Sequence, residues 1–131
     1  MKTKGKLFIE MDCNNRAIVI FEPIAGTVWL SKHELAQLFG VSIQKVNACI
    51  DGVLQAKIFS AESTCRYDLF VRNNRIRYDV QEVNLAIILA MVYQIKSSNA
   101  EILRKWLIEQ LLSPKAFTLG MLTENQNYLL N

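Results

Sequence analysis

Ten residues, Ser31 to Gly40, constrain this chain more than any other stretch. Ser31 followed by Glu34 is a capping box, in which each side chain bonds the other's backbone N–H, so a helix is predicted to start at Lys32. The helix runs to Phe39 and stops at Gly40, where a left-handed residue suits glycine. Ser42 is the next N-cap, and a second helix follows with Ile43, Val46, Ile50, Val53 and Leu54 on one face. Two short helices that cross steeply need a small residue where they touch, and Ala36 supplies it. A glycine four positions later and an aliphatic residue six beyond that, Val46, complete the spacing of a helix-turn-helix. Val46 and Cys49 anchor the second helix on the first, with Leu35 and Phe39 closing the core beneath.

Turned outward on the second helix are Gln44, Lys45, Asn47, Ala48 and Asp51. Side chains near the N-terminus of such a helix enter a major groove. Gln44 and Asn47 each offer adenine a donor and an acceptor, and Lys45 reaches guanine or phosphate. The helix N-terminus capped by Ser42 itself suits a phosphate. Lys32 and His33, the exposed start of the first helix, join these residues as expected DNA contacts.

Other segments place this unit in an α+β chain. Residues 7–11 and 16–21 are rich in β-formers and read as a hairpin turning at Asn14-Asn15. Residues 66–71 and 75–79 read as a second hairpin turning at Asn73-Asn74. A two-residue loop there sets Arg72 opposite Arg75, Val71 opposite Ile76, Phe70 opposite Arg77 and Leu69 opposite Tyr78. Arg72, Arg75 and Arg77 then share one face and Leu69, Val71, Ile76 and Tyr78 the other. Facing arginines repel by ~0.2–1 kcal/mol. A phosphate backbone laid against them relieves that repulsion, so Arg72, Asn73, Asn74, Arg75 and Arg77 are read as a wing on DNA. The other reading is a solvated edge whose charges deter further pairing.

Asp79 with Glu82 is predicted to open a third helix, apolar nearly all round from Leu85 to Tyr93 and therefore buried. Ser98 with Glu101 opens a fourth, carrying Ile102, Leu103, Trp106, Leu107 and Leu111 and ending before Pro114. The expected fold is thus a winged-helix-like helix-turn-helix with an N-terminal β-hairpin and a C-terminal helical pair. Residues 1–112 form the DNA-binding domain and 113–131 an extension.

From Thr27 to Leu112 the chain resembles the N-terminal part of the RhuM-type virulence-associated proteins. The resemblance rests on Trp29-Leu30-Ser31 before Leu35-Ala36-Gln37-Leu38-Phe39, and on Ser42 to Val46. It continues through Tyr93-Gln94-Ile95-Lys96-Ser97 and Leu103-Arg104-Lys105-Trp106. The chain departs from that pattern at Val92-Tyr93-Gln94, where the family has Gly-Tyr-Arg, and at Asn73-Asn74, where it has a glycine-rich turn. The resemblance implies a bacterial DNA-binding protein of mobile or restriction-modification loci. Similar segments recur in phage antirepressor-like proteins.

Composition sets bounds. With 131 residues, 51% of them hydrophobic, the chain can build one core, and a net charge of +3 favours an anionic partner only weakly. Lys2, Lys4 and Lys6 form a basic arm suited to phosphate contact or to plain solubility. Three cysteines, Cys13, Cys49 and Cys65, show no zinc spacing and read as reduced thiols of a cytoplasmic protein. The N-terminus is not expected to be a signal peptide, and the sequence has no membrane-length apolar run. The lone histidine, His33, and the scattered acids form no catalytic constellation, so no enzyme activity, cofactor or metal is expected. The expected function is sequence-specific binding of double-stranded DNA in transcriptional or mobile-element control. The alternative is a protein-interaction module that keeps the helix-turn-helix without DNA contact. Because such proteins often read two half-sites, a homodimer is expected through the third and fourth helices or through Tyr128, Leu129 and Leu130 in the tail.

Overall fold

The computed structural model describes residues 4–113. The expected tail contacts at Tyr128, Leu129 and Leu130, the extension beyond Ser113, and Lys2 lie outside them. The chain is a mixed α+β fold with two small antiparallel sheets. Strands β1 (Lys6–Met11) and β2 (Ala17–Glu22) form the first, with Met11 opposite Ala17 and Lys6 opposite Glu22. Their connection is longer than the Asn14-Asn15 turn expected. The Asp12 carboxylate accepts bonds from the Asn14 and Arg16 N–H groups, both 2.8 Å, and only Asn15 takes a positive φ. An aspartate that bonds backbone groups a few residues on builds its own loop and displaces the tight turn.

Strand β3 (Trp29–Ser31) leads directly into helix α1 (Lys32–Phe39), and helix α2 (Ile43–Gln55) follows. After the one-turn helix α3 (Ala61–Thr64) come strands β4 (Cys65–Arg72) and β5 (Arg75–Asn84). The second sheet has the order β3-β5-β4, so β4 is an edge strand. Helices α4 (Leu85–Gln94) and α5 (Ser98–Leu112) complete the described residues.

Two expected helix starts are corrected. Asp79 and Glu82 do not cap a helix; they lie within β5, and α4 starts five residues later than expected. Asn84 caps it, its side-chain oxygen accepting from Ala86 N–H (3.1 Å) and Ile87 N–H (3.4 Å). The strand persists because its charges find distant partners: Asp79 meets Lys32 at 3.0 Å, and Glu82 meets Lys4 at 2.6 Å and Arg66 at 3.2 Å. At α5 the cap is Ser97 rather than Ser98, with its hydroxyl accepting from Ala100 N–H at 3.1 Å.

The core joins both sheets to the helices. Leu30, Leu35, Phe39, Val46, Ile50, Val83, Ile87, Ile88, Met91 and Leu103 are buried together. Each such side chain contributes ~1.5–3 kcal/mol by leaving water. Helix α4 is the central piece, as its apolar sequence implied, with Ile87, Ile88, Met91 and Val92 buried; Tyr93, at its outer side, is exposed. Arg104 of α5 closes the end of α4, its guanidinium donating to the carbonyls of Val92 (2.8 Å) and Ile95 (3.0 Å). These are carbonyls at the end of a helix, where backbone acceptors lack partners within the helix. Close by in α5, Trp106 meets Phe21 of β2 edge-on at 5.7 Å between ring centres, tying the first sheet to α5. Among the described residues, no helix is long and apolar enough to cross a membrane.

Candidate nucleic-acid interface

The helix pair forms by the local chemistry its sequence announces. Ser31 Oγ accepts from Glu34 N–H at 3.2 Å, and the Glu34 carboxylate accepts from Ser31 N–H at 3.0 Å. Gly40 ends α1 in the left-handed region (φ 65°), and the N–H groups of Gly40 and Val41 both bond the Ala36 carbonyl. A Cβ at Gly40 would also stand 3.2 Å from the Asn99 amide nitrogen of α5, so both conformation and space select glycine. Ser42 caps α2, its hydroxyl accepting from Lys45 N–H at 3.2 Å.

One side of α2 is locked down by Val46, Ile50 and Val53, all buried. Cys49 is half-buried; its thiol lies 3.8 Å from the Gln94 side-chain oxygen of α4, and burial raises its pKa above the usual thiol value. The opposite side exposes Gln44, Lys45, Ala48, Asp51 and Gly52, a continuous stripe at helical spacing. Gln44 and Lys45 thus project into solvent from the first turn of α2. Asn47 does so less than the sequence reading expected: it is half-buried on the flank of the stripe.

The second element is the β4–β5 hairpin. Its register is the expected one, with Arg72 opposite Arg75 and Phe70 opposite Arg77. Asn73 (φ 53°) and Asn74 (φ 60°) supply the two positive φ angles that a type I′ turn requires. Arg72, Asn73, Arg75 and Arg77 line one hollow of about 440 Å³. From Tyr67 to Asp79 every residue is exposed, so the hairpin projects as a two-stranded ribbon with neither face on the core. A bare two-stranded ribbon is marginal in water on its own. Its root is held by the longer run of β5 between β3 and β4 and by charge pairs.

Those pairs reassign two of the expected cations. Lys32 is half-buried and bonds Asp79 at the root of the hairpin, so it fastens α1 to β5. Lys4 leaves the expected basic arm: it is ion-paired with Glu34 and, at 2.6 Å, with Glu82. Gly5 allows this placement, since its φ is 73° and a Cβ would lie 2.9 Å from the Glu22 carbonyl oxygen and a Val28 methyl. Arg66 joins the cluster from β4, bonding Glu82 and lying 4.0 Å over the Trp29 ring. Burial alone pushes the Glu34 and Glu82 carboxyls up and the Lys4 ammonium down. Hydrogen bonds among the same groups outweigh that, so both carboxyls end below their usual range and Lys4 ends above its own. His33 and Lys6 remain exposed.

Thus the structure gathers Arg72, Asn73, Arg75 and Arg77 on the hairpin, with Asn74 in the same turn. It sets Ser42, Gln44 and Lys45 together at the start of α2. It also shows what pattern reading missed: β3 pairs with β5 (Trp29 opposite Asn84), which hangs the hairpin on the strand that enters α1. The β-former triplet Val28-Trp29-Leu30 before the cap was the available signal. Among the described residues no group of three or more His, Cys, Asp or Glu side chains is placed to hold a metal ion. Compared with known protein families, curated proteins and solved structures, the chain matches none.

Proposed function

We propose that this chain binds double-stranded DNA with sequence preference, in a winged-helix-like manner. In this reading α2 enters the major groove, Gln44 and Lys45 read base edges, and Asn47 supports them from the flank. Arg72, Arg75 and Arg77 lie along the phosphate backbone with the Asn73-Asn74 turn, and the α2 N-terminus at Ser42 takes a phosphate. His33, exposed at the start of α1, is a further phosphate contact in this reading.

One observation carries the reading: a helix pinned by Val46, Ile50 and Val53 exposes polar side chains at its N-terminus, and the same chain projects a bare, arginine-lined ribbon. Neither feature serves the core. The order strand, helix pair, hairpin, with the lone strand beside the hairpin's second strand, also supports the winged-helix assignment. Transcriptional or mobile-element control in the cytoplasm is the role that this reading fits, in line with the resemblance to RhuM-type proteins of mobile or restriction-modification loci.

Selection of bound duplexes from a random pool, followed by binding measurements on the selected site, tests it. Gln44→Ala and Lys45→Ala are expected to lose ~1–3 kcal/mol each toward the selected site, and Gln44→Ala should change little toward unselected duplex. A pool that shows no enrichment, with both variants binding as the parent does, refutes the groove assignment.

A further inference from the structure

Among the described residues, no strand uses the backbone groups on the outer edge of β4. Edge strands usually carry a device against further pairing, such as proline, charges of one sign or extreme shortness; β4 is eight residues long, and its charges beyond Arg66, Asp68 and Arg72, are opposite in sign. In β4 there is no proline, and from Tyr67 on every side chain is exposed, including Leu69 (58%), Phe70 (42%) and Val71 (68%).

We propose that β4 pairs antiparallel with β4 of a second copy of this chain, centred on Phe70, to give a dimer with one continuous six-stranded sheet. The register follows from the hairpin. The type I′ turn joins the Arg72 carbonyl to the Arg75 N–H, so Arg72 and Arg75 are a hydrogen-bonded pair. Bonded and non-bonded pairs alternate along an antiparallel ladder. Asp68, Phe70 and Arg72 therefore turn their backbone groups toward β5, and Leu69 and Val71 turn theirs outward. Two outer edges pair only where outward groups meet outward groups, so the two-fold axis must pass through a residue position rather than between residues.

Few such positions exist, because at the start of β4 Cys65 is buried and Arg66 is taken up by Glu82 and the Trp29 ring, which rules out centring on Tyr67. Centring on Asp68 sets two carboxylates face to face. Centring on Leu69 leaves Asp68 against Phe70 of the second copy. Centring on Val71 leaves Phe70 against Arg72 of the second copy and Asp68 against Asn74. Centring on Phe70 sets Asp68 opposite Arg72 of the second copy, twice by symmetry. It also sets Leu69 opposite Val71, both ways, and the two Phe70 rings against each other across the axis. Only this register matches charge with charge and apolar with apolar. It also gives Arg72 an anion, which relieves its repulsion from Arg75 within the hairpin.

This dimer stands on the β4 edge and not on the DNA reading; it takes Arg72 out of the phosphate contacts of that reading and leaves Arg75 and Arg77 to make them. A two-fold axis normal to the sheet brings these arginines out on the same side in both copies.

Sedimentation of the full chain without DNA tests the proposal. Asp68→Arg and Arg72→Asp are each expected to weaken dimerisation on the order of tenfold. The double variant should restore it, since the two charges then face each other again with their places exchanged. Val71→Pro deletes an outward N–H that β5 does not use, so it should abolish the dimer while circular dichroism stays that of the parent. A parent that stays monomeric at high concentration and low salt overturns the proposal. Single charge reversals without effect, or a double variant that is not restored, overturn it as well, as does an edge that takes up strands of other proteins but not of its own kind.

Discussion

Replacing both Arg75 and Arg77 by glutamine separates a grip on phosphate from every structural role these residues could have. Both side chains are exposed and both line the hollow at the ribbon tip, where two backbone phosphates can be neutralised. Each neutralised phosphate adds ~0.9 to the slope of log affinity against log salt. The double variant should therefore have a slope shallower by ~1.8, so a fourfold rise in salt should cost it ~12-fold less affinity than it costs the parent. Binding should weaken alike on all duplexes, because phosphate contacts carry no base identity. Stability should move the other way: Arg75 faces Arg72 across the strands, and removing that like-charge pair should gain ~0.2–1 kcal/mol. Fluorescence anisotropy over a salt series, with urea unfolding of the same samples, reads both. An unchanged salt slope would refute the wing assignment, whatever happened to stability.

Arg104→Met keeps the length of the side chain but leaves the carbonyls of Val92 and Ile95 without their donor; a loss of ~1.5–3 kcal/mol is expected in urea denaturation, and no loss would show that water replaces the guanidinium. The cluster of Lys4, Glu34, Arg66 and Glu82 predicts an acid limb. Both carboxyls have folded-state pKa values below the reference of 4.5, so their stabilisation is present above that value and drains away as pH falls through the lower, folded values. Glu82→Gln should flatten this limb in unfolding midpoints taken between about pH 6 and 3, and an unaltered acid profile would show that the cluster is not linked to folding.

What was legible in the sequence was short-range. The Ser31–Glu34 box, Gly40, the Ser42 cap and the Asn73-Asn74 turn each act over four residues or fewer, and each lies where spacing put it. The error at Asp79 has the opposite origin. Its spacing to Glu82 is that of a helix start, but the partners that decide the matter are remote: Lys32 lies 47 positions from Asp79, and Lys4 lies 78 from Glu82. A period-two signal competed with it, since Ile76, Tyr78 and Val80 alternate with Arg75, Arg77 and Asp79 beyond the end expected of the strand. The short β3 was missed because three residues show no period, and only its pairing with β5 makes it a strand. Lys4 and Lys32 counted as free cations for the same reason, since a charge reads as available until the fold supplies its counterpart. On α2, helical spacing gave the buried side correctly but not how far Asn47 sinks at its border.

The bareness of the ribbon between Tyr67 and Asp79 bears on how such a chain diversifies. No side chain there fills a hole in the interior, so substitutions short of Asp79, which holds Lys32, leave packing untouched as long as the Asn-Asn bend and the strand alternation persist. The molecule therefore keeps its most changeable chemistry on a part that folding does not police, while the helix pair beside it is held to its sequence from within.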